Sequence, residues 1–199
     1  MTVARPVRLV ASLLFLAVLS GCNLLSGADD PRETYDIIAP VREFAAGSTR
    51  AQLLVKEPLA LKTLDSDRVV LKPEPRVVTY LANAQWVDTA PKLVQARLVE
   101  AFENTGRTGA TARPGDGLVI DFQLVSTLRR FEIDGTANTA VFEISIKLLA
   151  DKTGQVRETR IFTATAPVQG QESADYVRAL DQAFDAGAEQ IIDWVLASV

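Results

Sequence analysis

Apolar and polar residues alternate along the chain from Thr139 to Asp151, in the stretch TAVFEISIKLLAD. A period of two residues is typical of a β-strand, because successive side chains of a strand point to opposite faces. So clean an alternation predicts an antiparallel sheet that has one face in contact with solvent. One face is predicted to carry Phe142, Ile144, Ile146 and Leu148, and the other to carry Glu143, Ser145 and Lys147.

Two similar stretches flank this predicted strand. GLVIDFQLVSTLRRF (117–131) precedes it and VRETRIFTATAPV (156–168) follows it. The connecting segments EIDGTAN and DKTGQ are short, as hairpins require, so the pattern predicts a meander of three antiparallel strands. In the first stretch, one face is predicted to hold Leu118, Ile120, Phe122, Leu124 and Leu128, and the other Asp121, Gln123, Thr127 and Arg129.

Two segments have apolar residues at helical spacing instead. Asp88 or Thr89 is predicted to cap the first helix, Pro91 fits its first turn, and Gly106 ends it. The second helix is predicted to run from Ser173 to the end of the chain. The apolar stripes are Leu93, Val94, Leu98, Ala101 and Phe102 in the first helix, and Val177, Leu180, Phe184, Gly187, Ile191 and Trp194 or Val195 in the second.

The first half of the chain holds shorter apolar stretches. We predict strands at 34–40 (TYDIIAP) and 51–58 (AQLLVKEP), and a hairpin in RVVLKPEPRVVTYL, where the prolines mark the turn. TGATARPGDG is predicted to be a loop. The strand near Val77, the first helix and the strand near Leu118 are predicted to form a right-handed crossover. The predicted fold class is α/β, with a mixed, largely antiparallel sheet and two main helices packed on one face.

The amino terminus has the pattern of an export signal. Arg5 and Arg8 precede an apolar run from Leu9 to Leu19, which is too short to span a bilayer and fits a signal peptide. Cys22 follows in the sequence LSGC, which resembles the lipobox of bacterial lipoproteins; the alternative is a secreted protein with a chance cysteine there. We predict a signal peptide at 1–21, a lipidated tether at 22–34 and a folded domain at 35–199.

Composition excludes several kinds of chemistry. The chain has no histidine, and its one cysteine is the predicted lipidation site, so the usual general base, thiolate catalysis and the commonest metal ligands are missing. Loss of Arg5 and Arg8 with the signal would make the formal net charge of −4 two units more negative. An acidic chain without a basic stripe argues against nucleic-acid binding.

Candidate catalytic groups are few. Asp121 and Glu143 could lie close together on adjacent strands, and paired carboxylates can perform acid–base chemistry. The favoured interpretation is a solvated sheet face. We therefore predict no catalytic residue, no metal and no cofactor, and hence no enzyme.

Trp86 lies in what the sequence predicts to be a polar linker between a strand and the first helix. The favoured interpretation is that its ring closes the end of the core. Tryptophan is also frequent at the energetic centre of protein interfaces, so a partner contact is the alternative.

Behind a lipobox, the series Tyr80, Trp86, Asp88 and Pro91, followed by an amphipathic helix that ends near AFENTG, resembles the ABC-type transport auxiliary lipoprotein family, the PqiC-like proteins. The resemblance also includes TYDIIAP, the strand DRVVL, the meander and the closing helix, and it spans about Tyr35 to Val199. It implies a fold like the TolB amino-terminal or anticodon-binding-like type.

The resemblance also implies a function. Such proteins are non-catalytic periplasmic lipoproteins that work beside an ABC transporter whose partner carries MCE domains, moving phospholipid or another lipophile between the inner and outer membranes. Cys22 would carry the acyl chains, and Asn23 after it implies the outer membrane, with inner-membrane anchoring left open. Trp86, Asp88 and Pro91 are the predicted partner contacts, and contact between copies of the chain is possible. The alternatives are a lipid-binding carrier and an envelope assembly lipoprotein unrelated to transport.

Overall fold

The computed structural model describes residues 32–41 and 47–199. The predicted signal peptide, Cys22 and most of the predicted tether lie outside the described residues. The strands are β1 (Glu33–Tyr35), β2 (Gln52–Val55), β3 (Arg68–Glu74), β4 (Val77–Trp86), β5 (Ala110–Ala112), β6 (Phe122–Asp134), β7 (Thr139–Ala150) and β8 (Gln155–Pro167), and the helices are α1 (Ala90–Thr105) and α2 (Ser173–Ser198).

All eight strands belong to one sheet, and β6 is its centre. One edge of β6 pairs with β7, and β7 pairs with β8, in the predicted antiparallel meander. The other edge of β6 is shared by two shorter parallel strands, since β2 pairs near its start and β3 near its end. The remaining strands extend the sheet from these two: β4 and then β1 lie beyond β3, and β5 lies beyond β2.

The two helices cover the face of the sheet that carries Phe142, Ile144 and Ile146, as the alternation in β7 predicted. Gly187 lets α2 approach closely, because a Cβ atom there would lie 2.4 Å from a ring carbon of Phe142. The α/β fold class, with a mixed sheet and two helices, is therefore confirmed. Antiparallel pairing dominates by residue count, since the long pairs of the meander are antiparallel and the parallel pairs are short.

The helix boundaries follow local sequence signals. Thr89 is the N-cap of α1, but its hydroxyl makes no hydrogen bond in the structure, and the Asp88 carboxylate accepts the Thr89 N–H at 2.7 Å instead. Gly106 ends α1 with φ of 60°, a left-handed conformation that favours glycine. A capping box formed by Glu172 and Asp175 starts α2.

The predicted crossover is wrong. β4 runs antiparallel to β3, and β3 runs parallel to β6, so β4 and β6 run in opposite directions with β3 between them. The hairpin makes β3 and β4 antiparallel neighbours, and β3 is the one that pairs with β6. Leu118 is exposed and precedes the start of β6, whose side chains alternate only from Phe122.

Three local predictions also differ from the structure. The predicted loop TGATARPGDG contains β5, which pairs with β2 over three residues. The first strand ends at Tyr35, because the Asp36 carboxylate accepts the Ile37 N–H and an Arg97 hydrogen bond and so turns the chain toward α1. Trp86 is the last residue of β4 and not part of a linker.

Candidate docking face of the sheet

No helix in the described part of the chain covers the sheet face opposite α1 and α2. We call this face the open face. Strand register places Leu59, Thr127, Ser145 and Ile161 in one row across it. Leu59 and Ile161, at the ends of the row, are 71% and 52% exposed. Two small hydroxyl side chains therefore lie between two exposed aliphatic ones, which makes a shallow surface suited to contact with another molecule.

A groove lies at the Leu59 end of this row. It has a volume of about 450 Å³ and is lined by Leu59, Ala60, Leu61, Thr127, Leu128 and Arg129. Leu61 is 77% exposed. Exposed leucines beside one cation are the composition expected of a binding surface with an apolar centre and a polar rim.

The far end of the open face is charged. Glu132 is only 2% exposed, and its carboxylate accepts a hydrogen bond from Arg130 Nε at 2.7 Å and pairs with Lys72 Nζ at 3.1 Å. Arg130 also lies 3.6 Å from Asp134. Because Lys72 belongs to β3, this cluster ties the β3–β4 hairpin to the centre of the sheet.

The charged residues Arg129, Arg130, Glu132 and Asp134 all lie in the second half of β6. The structure shows a register shift between Leu128 and Arg130, and the side chain of Arg129, which lies within the shift, pairs with Glu143 at 3.0 Å. One of the two cations that balance the charge of the buried Glu132 is Lys72, which belongs to β3. The sequence of β6 alone does not contain this partner.

The predicted partner residues do not form one exposed patch. The Trp86 ring is 2% exposed and stacks on Phe131 at 5.2 Å, which confirms the interpretation that it closes the core. Pro91 is buried in the first turn of α1. Asp88 alone of the three offers its side chain to solvent, where it lies 3.7 Å from Lys92. Contact of a partner with Trp86, Asp88 and Pro91 therefore stays a prediction, and Asp88 is the residue of the three that could make it through an exposed side chain.

Asp121 and Glu143 are not brought together. Asp121 accepts the Gln52 N–H at 3.0 Å just before the start of β6, whereas Glu143 lies opposite Arg130, nine residues further along the chain. At about 3.3 Å per residue, the two carboxylates are more than about 20 Å apart. Within residues 32–41 and 47–199, no group of three or more metal-binding side chains lies together.

The segment after β1 is held against the helices. Ile38 N–H donates to Asp181 of α2 at 2.7 Å, and Asp36 pairs with Arg97 of α1. Burial raises the pKa of the Asp181 carboxyl, and the nearby negative charge of Asp36 adds to this increase. The hydrogen bond to Glu33 raises the pKa of Tyr35 to about 12. The entry of the chain into the domain is therefore fixed by several polar contacts.

Neither helix in the described part of the chain is long and apolar enough to cross a bilayer. Together, the fold and the open face define a class of protein, a one-sided α/β domain whose described helices all pack on one face of the sheet.

The chain belongs to the ABC-type transport auxiliary lipoprotein component family, whose model matches residues 35–192. This family comprises lipoproteins, which are anchored in the cell envelope, that assist ABC-type transport. The resemblance seen in the sequence is thereby confirmed at the level of the family.

Individual relatives agree with the fold. The chain is 33% identical over 189 residues to the protein bll6063 of Bradyrhizobium diazoefficiens, covering 92% of this chain and about half the length of that relative. The solved structure of XCC0632 from Xanthomonas campestris has a TM-score of 0.79 and 28% identity, over 83% of this chain and 95% of that one. A PelC dodecamer from Paraburkholderia phytofirmans has a TM-score of 0.50 and 10% identity, over 78% and 97%, which shows the fold alone.

Proposed function

We propose that this protein is the lipid-anchored, non-catalytic adaptor of an MCE-type ABC transport system that moves phospholipid or another lipophile between the inner and outer membranes. The main support is the one-sided sheet, because both helices lie on one face and the row of Leu59, Thr127, Ser145 and Ile161 lies on the other, with Leu59 and Ile161 exposed. Membership of a transport auxiliary family supports the assignment to an ABC system.

The proposed anchor is a set of acyl chains on Cys22. Ten residues separate Cys22 from Glu33, the first residue of β1, so the fully extended tether reaches about 35 Å. The domain would therefore stay close to the leaflet that holds the acyl chains. Asn23 supports anchoring in the outer membrane, on its periplasmic face.

The proposed docking surface for the MCE-domain partner is the open face together with the groove beside Leu59. Asp88 is a further proposed contact, whereas Trp86 and Pro91 act by positioning it at the junction of β4 and α1. ATP hydrolysis is assigned to a different subunit of the transport system.

Packing supports an adaptor over a carrier that holds lipid between sheet and helices. The rings of Trp86, Phe131, Phe142 and Phe184 follow one another through that space, with successive centroids 5.2, 5.9 and 5.5 Å apart. We expect titration of the protein with phospholipid to give no saturable one-to-one binding; a saturable isotherm would favour the carrier.

Copurification from envelopes tests the adaptor function. We expect the full chain, extracted in mild detergent, to bring down an MCE-domain protein and its permease. Ser145→Arg places a bulky charge at the centre of the open face and should abolish this recovery, while Glu103→Arg on the exposed surface of α1 should leave it unchanged. Recovery that is equal for both variants, or absent for the unsubstituted chain, contradicts the proposal.

A separate labelling experiment tests the anchor. A palmitate analogue supplied to growing cells should label the unsubstituted chain and leave Cys22→Ser unlabelled. Equal labelling of the two proteins, or labelling of neither, would show that Cys22 does not carry the acyl chains.

A further inference from the structure

The edge strand β8 has two unlike halves. From Gln155 to Ile161 every residue is exposed, whereas from Phe162 onward buried and exposed residues alternate. In the part of the chain that the structure describes, β8 pairs with β7, with a register shift between Val156 and Glu158, and has no ladder partner on its other side. Every second residue of such an edge directs its N–H and C=O groups outward, which makes the edge a template for a further strand.

The charged side chains of this half-strand are held in place. The guanidinium of Arg157 lies 6.0 Å from the centre of the Phe122 ring, and that of Arg160 lies 5.2 Å from the centre of the Phe162 ring. Trp194 Nε1 donates a hydrogen bond to Glu158 at 2.8 Å. Side chains that are already ordered lose little entropy when a partner docks.

The order of these charges is self-complementary at one register only. Two copies of a strand can pair antiparallel about a two-fold axis. Paired side chains then lie on the same face of the joined sheet only if one residue pairs with its own copy, so each possible register is defined by its central residue. Centres at Arg157, Glu158 or Arg160 place like charges opposite each other. A centre at Thr159 places Glu158 of each copy opposite Arg160 of the other.

We propose that β8 pairs antiparallel with β8 of a second copy over Glu158–Arg160, centred on Thr159, so that the two sheets become continuous there. The occupant of the free edge is thus another molecule of the same chain. Because the two-fold axis is perpendicular to the sheet, the helices of both copies lie on one side and both open faces lie on the other. Dimerisation would double the open surface without covering it.

Cysteine cross-linking tests the register. In the full chain in detergent, Thr159→Cys should form a disulfide-linked dimer under mild oxidant, because residues facing each other across antiparallel strands have Cα atoms about 4.5–5.5 Å apart, within disulfide range. Thr163→Cys is the matched control: it lies on the same face of the same strand, yet would be about 26 Å from its own copy. The unsubstituted chain reports any dimer formed through Cys22.

A dimer with Thr159→Cys and little or none with Thr163→Cys is the expected result. Equal cross-linking of the two variants would indicate random collision, and cross-linking of neither would indicate that the edge is unpaired. Either result overturns the proposal, and in the second case the charges of β8 would serve only to keep the edge soluble.

Charge exchange provides an independent test by sedimentation of the full chain in detergent. Arg160→Glu and Glu158→Arg each convert two attractive cross-strand pairs into repulsive ones, and we expect each to raise the dimer Kd at least about tenfold. The double variant restores opposite charges and should return the Kd to within about threefold of the original. The interface would be excluded if the single variants left the dimer Kd unchanged. It would also be excluded if the double variant dimerised as weakly as the single variants and Thr159→Cys failed to cross-link. Both tests are independent of the transport partner.

Discussion

The two sides of β7 show how one strand serves two purposes. Its inner residues Phe142, Ile144 and Ile146 are completely buried under α2, whereas Ser145 and Lys147, between and beyond them, reach solvent on the open face. The difference separates stability from recognition, because the inner residues fix the helices on the sheet and the open ones contribute little to that packing. Substitutions on the two sides should therefore have very different effects.

The largest effect is expected for Phe142→Ala. The side chain contacts Phe131 and Phe184 edge to face, at 5.9 and 5.5 Å, and fills the space opposite Gly187. Removal of a fully buried ring should lower the free energy of unfolding by about 3–5 kcal/mol, measured by denaturant titration. Lys147→Ala on the opposite side of the strand should change it by less than about 0.5 kcal/mol. Similar losses for the two variants would disprove the division between the faces.

This division could be predicted from the sequence because it depends on local period. The alternation in β7 and the apolar stripes of the helices repeat within each element, so they identify each buried face without knowledge of its neighbours. The capping positions Thr89 and Gly106 are local in the same sense.

Features that depend on distant pairing could not be predicted in this way. β5 has only three residues and forms because β2 offers it an edge. The position of β3 between β4 and β6 follows from the choice of sheet edge, which hydrophobic period does not encode. Trp86 resembles a linker residue in sequence, and only its pairing with Tyr35 of β1 shows that β4 continues to it. The open face was anticipated, but the row that begins at Leu59 was not, because Leu59 joins the sheet through a single bridge.

A second prediction distinguishes the two carboxylates of the open face. Glu132 is buried and bound by both Arg130 and Lys72, whereas Glu143 is more exposed and pairs with Arg129. Glu132→Gln leaves two cations without their shared counter-charge and should lower the unfolding free energy by about 1–3 kcal/mol. Glu143→Gln should cost less than about 1 kcal/mol.

Chemical denaturation of both variants at neutral pH checks this difference. If Glu132→Gln proves no more harmful than Glu143→Gln, the buried cluster does not hold the β3–β4 hairpin on β6. A larger loss for Glu132→Gln at low than at high salt would add that the interaction is electrostatic.

The smallest predicted effect lies on the helix layer, where Asp181 receives the Ile38 N–H. Burial raises the pKa of this carboxyl above its usual value of 3.8, and the negative charge of Asp36, itself paired with Arg97, adds to the increase. The folded state therefore holds the Asp181 proton more tightly than the unfolded state. Stability from this group is present at low pH and is lost as the pH rises from that usual value through the folded pKa.

Asp181→Asn removes this titration while its side-chain oxygen can still accept the Ile38 N–H. The stability of the variant relative to the unsubstituted chain should therefore increase as the pH rises from about 3 to 7, by no more than about 0.5 kcal/mol because the site is half exposed to solvent. Thermal or denaturant unfolding across that range measures the difference. In an Asp36→Asn background the increase should be smaller, since one cause of the raised pKa is gone. A difference that is constant with pH, or that decreases as pH rises, would show that burial of Asp181 does not favour its protonated form.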